Sequence, residues 1–155
     1  MSDMAFEWIE TSDPRMAEVS ELRYVTLFEP FGVPRCETWN DDIPGIHHLI
    51  VTVDGRVSGY ACLIVAGESG QVRQVCVLPA LRGAGLGRGL MTEVVAHAQR
   101  LGLSLAWLNA RTTVEDFYRR LGWVTTSGEF PFGRTGVPHV RMEHPLHTQP
   151  AKSGA

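Results

Sequence analysis

Four glycines at alternate positions, Gly83, Gly85, Gly87 and Gly89, separate a strand-like pattern from a helix-like one, and few folds accommodate such a junction. Before it, residues 71–78 alternate between Val72, Gln74, Cys76 and Arg73, Val75, Val77, and Pro79 closes the run. After it, Leu90, Met91, Val94, Val95, Ala98 and Leu101 fall on one helical face, and Gly102 ends the helix. Glycine lets the backbone approach a ligand without a Cβ in the way, and a helix start offers unspent N–H groups and a positive dipole end. Arg82 and Arg88 add formal charge. The segment is therefore expected to hold a phosphate or pyrophosphate; the alternative is a tight strand–helix turn that holds nothing. Two familiar phosphate patterns fail. A G-x-G-x-x-G counted from Gly83 ends on Arg88 and from Gly85 on Leu90, and no Gly-Lys-Ser/Thr follows.

The rest of the chain supplies a scaffold for this junction. Residues 5–10 suit a first strand. Ser12 or Asp13, with Pro14, opens a helix carrying Val19, Leu22, Arg23 and Thr26 or Leu27. Residues 29–45 hold three prolines and two glycines and read as a long loop with at most one helical turn, a length often associated with function. Residues 48–53 and 56–65 are β-rich and flank Asp54-Gly55, a strong hairpin signal. Residues 103–108 form a further strand. Thr112 and Glu115 match a capping box opening a helix with Val114, Phe117, Tyr118 and Leu121 on one face, and Gly122 stands at its C-terminal cap. Residues 123–126 and 138–143 close the sheet. The order gives a mixed sheet with helices packed on it, an α/β (α+β mixed) class.

With 155 residues, the chain is expected to form one domain over 1–146, followed by a polar tail over 147–155. A net charge of −3 argues against a nucleic-acid binder. No apolar run is long enough to span a bilayer and the first residues lack a signal-peptide pattern. Cys36, Cys62 and Cys76 are odd in number and far apart, so neither a disulfide framework nor a metal site is expected, and a reducing, cytoplasmic setting is.

The pattern Arg-x-x-Gly-x-Gly at Arg82, Gly85 and Gly87 resembles the pyrophosphate-binding motif of the GNAT (GCN5-related) N-acetyltransferases. VCVLPALRGAGLGRGLM is similar to that family's strand–turn–helix unit, and VEDFYRRLGW to its later tyrosine-bearing helix. LRYVTLFEPFGVPRCETWNDDIPGIHHLIV and GVPHVRM resemble the ElaA-like branch, and the likeness runs from Leu22 to Met142. It implies a largely antiparallel sheet of six to seven strands flanked by about four helices and splayed between the fourth and fifth strands. It implies an acyltransferase that moves an acetyl group from acetyl-coenzyme A (acetyl-CoA) to a primary amine by direct attack in a ternary complex, without a metal. The alternative is a non-catalytic acyl-CoA-binding sensor or regulatory module. Relatives of this kind are often dimers.

By the same resemblance, Val75, Cys76 and Val77 would line the pantetheine arm, one backbone N–H polarising the acetyl carbonyl. Arg82, Gly83, Ala84, Gly85, Leu86, Gly87 and Arg88 would hold the pyrophosphate, and Tyr118 would protonate the departing thiolate. Arg111 stands where many relatives carry an amide side chain. Arginine accepts no hydrogen bond, so a phosphate, an acidic substrate or solvent is left as its partner.

An alkyl ammonium with a pKa near 10.4 is nucleophilic in only about one molecule in 2,500 at pH 7, so a base is needed. His139 is the first candidate, because imidazole titrates near neutrality and strand alternation turns it away from Val140 and Met142. A histidine that orders its loop through a backbone hydrogen bond is the competing reading. His47, His48 and Glu129 are weaker candidates. Trp39, Asp41 and Asp42 in the long loop would meet a cationic amine or stand as a solvated surface. Cys76 is read as a buried thiol rather than a nucleophile.

Overall fold

A computed structural model describes residues 3–35, 39–133 and 135–147; Cys36 and the tail beyond His147 lie outside them. The chain runs β1 (Met4–Ile9), α1 (Met16–Arg23), β2 (Ile46–Val53), β3 (Arg56–Ala66), β4 (Ser69–Val77), α2 (Leu86–Arg100), β5 (Leu105–Arg111), α3 (Glu115–Arg119), β6 (Val124–Thr125), β7 (Phe130–Phe132) and β8 (Val137–Pro145). The sheet order is β1-β2-β3-β4-β5-β8-β6, with β7 also paired to β8. All neighbours are antiparallel except β4 and β5.

The central strands are apolar on both faces because both are covered. Leu49, Val51, Ala61 and Leu63 pack under Leu90, Met91, Val94 and Ala98 of α2. Ile50, Tyr60 and Cys62, one residue out of phase, pack under Met16, Val19 and Leu22 of α1. The Asp54-Gly55 hairpin is realised, with both residues in the left-handed region at φ 50° and 80° that a two-residue turn needs.

Four local expectations change. Among the described residues eight strands form rather than six or seven, the short β6 and β7 both lying against β8. Among the described residues three α-helices form rather than about four, because α1 loosens into a π turn over Tyr24–Phe28 and a 3₁₀ turn over Glu29–Phe31, and Gly32 then stops it at φ 74°. The capping box at Thr112 does not form. Thr112–Val114 is a 3₁₀ turn without a side-chain cap, and the Glu115 carboxylate instead accepts from Thr125 and pairs with Arg119. The fifth strand also runs on to Arg111, carried by its pairing with β8.

What positions the site is the behaviour of β4. It pairs with β5 only over Ser69–Gln71, opposite Leu105–Trp107, and the two strands then part. Pairing with β3 slips by one residue between Tyr60 and Cys62, and Gln74 takes up the extra residue at φ 59°. This is a β-bulge with a non-glycine residue in the left-handed region, a conformation retained where the surroundings enforce it.

Candidate active site

The glycine turn stands at the end of β4, at the top of the gap. Gly83 and Gly85 have φ of 86° and 88°, which disfavours any side chain, and a Cβ at either would point into open space. Gly85 caps α2, and the first helical bond runs from the Gly89 N–H to the Gly85 carbonyl. The N–H groups of Gly83, Gly85, Leu86, Gly87 and Arg88 find no backbone acceptor among the described residues. Leu86 anchors the turn by burying its side chain in the core. Ala84, Arg82 and Arg88 are exposed, and among the described residues no carboxylate pairs with either arginine. A set of free donors flanked by two cations without a carboxylate partner among the described residues fits an anion.

The gap below continues this surface. The Leu78 N–H donates to Ser58 on β3. By alternation along the strand, Val77 and Val75 turn their backbone groups to the opposite edge, where among the described residues no strand pairs with them. Their side chains pack on the α2 face, whereas Cys76 belongs to the α1 face. Burial pushes the Cys76 thiol up to about 12, so it stays protonated near neutrality. Tyr118 enters from α3, 8% exposed, with its ring edge-on to Phe117 and Trp123. Burial raises its hydroxyl pKa, and the Arg111 cation opposes this. The same helix sets Phe117 against Gly87. The glycine turn and the tyrosine helix, 30 residues apart in the chain, thus meet at one end of the gap.

Arg111 and His139 face each other across β5 and β8, on the α1 side of the sheet. Arg111 donates to the Leu27 carbonyl at 3.4 Å and its guanidinium lies 4.5 Å from the Phe31 ring centre. His139 is buried, and its Nδ1 lies 2.6 Å from the Val137 carbonyl. That bond places the proton on Nδ1 and leaves Nε2 as the acceptor nitrogen.

The weaker base candidates separate. His48 is enclosed, with Nδ1 at 2.7 Å from the Tyr60 hydroxyl and Nε2 at 3.1 Å from Thr11, so neither nitrogen is available. His47 points to the other face, 3.2 Å from His97 on α2. Glu129 is exposed in the loop before β7.

The loop residues are committed elsewhere. Asp41 is held by Arg23 through bonds of 2.8 and 3.0 Å, and Trp39 lies over the same guanidinium at 4.2 Å. Neither is free to meet an amine; Asp42 stays exposed. Arg23 itself is fully buried, and its side chain also reaches Gln74 at 3.0 Å and the Tyr60 ring at 5.1 Å. It therefore ties α1, the long loop and the β4 bulge together. Sequence reasoning placed Arg23 on the inner helix face but gave it no partner.

A family model for an acetyltransferase (GNAT) domain matches residues 18–146. The chain belongs to the GNAT acetyltransferases. Among curated relatives, the uncharacterized N-acetyltransferase YjcF of Bacillus subtilis (strain 168) is 36% identical over 135 residues, covering 86% of this chain and 95% of that protein. The crystal structure of Escherichia coli ElaA shares the fold at a TM-score of 0.79 and 20% identity, covering 90% of this chain and 99% of that one. An aminoglycoside 6'-N-acetyltransferase complexed with coenzyme A matches at a TM-score of 0.77 and 13% identity, over 94% and 99% of the two chains. The chain is thus an acyltransferase of GNAT fold, and no helix among its described residues is long and apolar enough to cross a membrane.

Proposed function

We propose that this GNAT acetyltransferase moves the acetyl group of acetyl-CoA onto a primary amine by direct attack. The observation that carries this reading is the continuity of the cradle of free N–H groups of Gly83 and Gly85–Arg88 with the unpaired edge of β4. The cradle accepts a diphosphate without a Cβ in its path. Acetyl-CoA supplies the acetyl group as a thioester whose thiolate leaves readily, its thiol having a pKa of about 8.5.

Arg82, Arg88 and the cradle amides hold the diphosphate by charge-assisted hydrogen bonds. A backbone N–H of Val75 or Val77 faces the carbonyl oxygen and stabilises the charge that develops there. Nε2 of His139 takes the proton of the attacking amine. The nitrogen–carbon bond forms as the carbon–sulfur bond breaks, and Tyr118, kept protonated by burial, gives its proton to the sulfur. The ammonium form of the amine loses one proton to solvent before attack; afterwards Tyr118 recovers a proton from water and His139 releases one, so one proton leaves per turnover. The high thiol pKa of Cys76 favours this single displacement over an acyl-cysteine route.

Free-thiol release from acetyl-CoA across a panel of amines tests the reading. Release above background is expected with at least one amine. Tyr118→Phe should lower kcat by about 100-fold, the lower end for general acid catalysis, with coenzyme affinity kept. Coenzyme binding without release for any amine would instead make the chain an acyl-CoA sensor or regulatory module. A wild-type rate in Tyr118→Phe would remove the tyrosine from the mechanism.

A further inference from the structure

On the α1 side of β5 and β8 the sheet carries a group of side chains that the transfer of acetyl alone does not require. Arg111, His139 and Phe130 form a row, because Arg111 pairs with His139 across β5/β8 and Phe130 with His139 across β7/β8. Phe132 lies 5.1 Å from the His139 ring and 6.1 Å from Phe130. Phe31 closes the group from the end of the α1 segment, over the Arg111 guanidinium. Phe31 and Phe132 remain 41% and 43% exposed, so two aromatic rings flank the row and stay open to a ligand.

The feature without a structural explanation is the charge. Arg111 is half-buried, and its five N–H donors have one carbonyl contact, the 3.4 Å bond to Leu27. Among the described residues no carboxylate pairs with it. Burial lowers its pKa, and the nearby Arg82 cation pushes the same way. A partly desolvated guanidinium surrounded by rings is completed by a planar anion that accepts two parallel hydrogen bonds, and a carboxylate is that shape.

Resting on the acetyltransferase reading above, the geometry points to an acceptor that is an α-amino acid with an apolar or aromatic side chain: its carboxylate on Arg111, its amine at His139 Nε2 and its side chain against Phe31, Phe130 and Phe132. Directly opposed residues on antiparallel strands have Cβ atoms only about 5 Å apart. A guanidinium and an imidazole at directly opposed positions suit one small molecule that carries both a carboxylate and an amine, which selects an α-amino acid over a lysine side chain, whose amine has no free carboxylate beside it. In the reaction the amino nitrogen bonds to the acetyl carbon, the carbon–sulfur bond breaks, and the products are the N-acetylamino acid, the free coenzyme thiol and one proton.

The test compares L-phenylalanine, L-phenylalaninamide and phenethylamine, which share a ring and an amine and differ in the carboxylate. With wild-type protein and acetyl-CoA, L-phenylalanine should show kcat/KM at least tenfold above the other two. Arg111→Met should abolish that preference by raising the KM for L-phenylalanine while the KM for acetyl-CoA stays within about twofold. Arg111→Lys, which keeps a cation, should retain part of it and serves if the methionine variant does not fold. Equal or better use of phenethylamine overturns the inference. So does a rise in the acetyl-CoA KM with acceptor selectivity intact, which would give Arg111 to the coenzyme. Calorimetry on coenzyme A-loaded protein gives a readout independent of turnover. L-phenylalanine binding at least tenfold tighter than phenethylamine supports the inference even if no amine is acetylated; equal affinities overturn it.

Discussion

Arg23→Met should lower the melting temperature by roughly 6–20 °C. The guanidinium is fully buried, bonded twice to Asp41 and once to Gln74, and stacked between Trp39 and Tyr60. Removing one member of a buried ion pair strands the other and costs about 3–5 kcal/mol. For a domain of this size each kcal/mol moves the midpoint by about 2–4 °C. Pairing Arg23→Met with Asp41→Leu should recover part of the loss, because the double variant leaves no charge stranded. Thermal denaturation followed by circular dichroism reads both. A midpoint within about 2 °C of wild type would mean that the cluster holds nothing together. Because Arg23 reaches both the long loop and the β4 bulge, the single variant should also raise the acceptor KM more than the acetyl-CoA KM.

Arg82→Ala should weaken acetyl-CoA binding by about 10- to 100-fold, with little change in stability. The side chain is exposed and no carboxylate among the described residues pairs with it, so the fold loses no ion pair. A hydrogen bond to a charged group contributes about 1.5–3 kcal/mol, which corresponds to that loss of affinity. Calorimetry at fixed salt measures it. Affinity equal to wild type would move the diphosphate away from this end of the turn.

The parts of the site readable in the sequence are those with a local cause. The glycine turn announces itself through residues that tolerate positive φ, and the Asp54-Gly55 hairpin does the same. Tyr118 follows from helical spacing, although Val114 on the same predicted face ends up exposed. The parts that were not readable depend on distant partners. The bulge at Gln74 leaves an alternating pattern on either side of one inserted residue, so sequence alone does not locate the slip. Asp41 looks like a solvated loop acid until Arg23, 18 residues earlier, and Gln74, 51 residues after that arginine, are brought beside it. His47 and His48 are equivalent on paper, and only strand register sends one to α2 and the other to Tyr60. The short β7, which places Phe130 and Phe132 beside His139, carries Pro131 between its two aromatics and gives no strand signal.

The most direct test is a crystal structure of the protein grown with acetyl-CoA. Diphosphate oxygens within hydrogen-bond distance of the Gly83–Arg88 amides, with the thioester beside the free edge of Val75–Val77, are expected. Well-defined density for the coenzyme elsewhere, with the cradle holding only solvent, would contradict the proposed site.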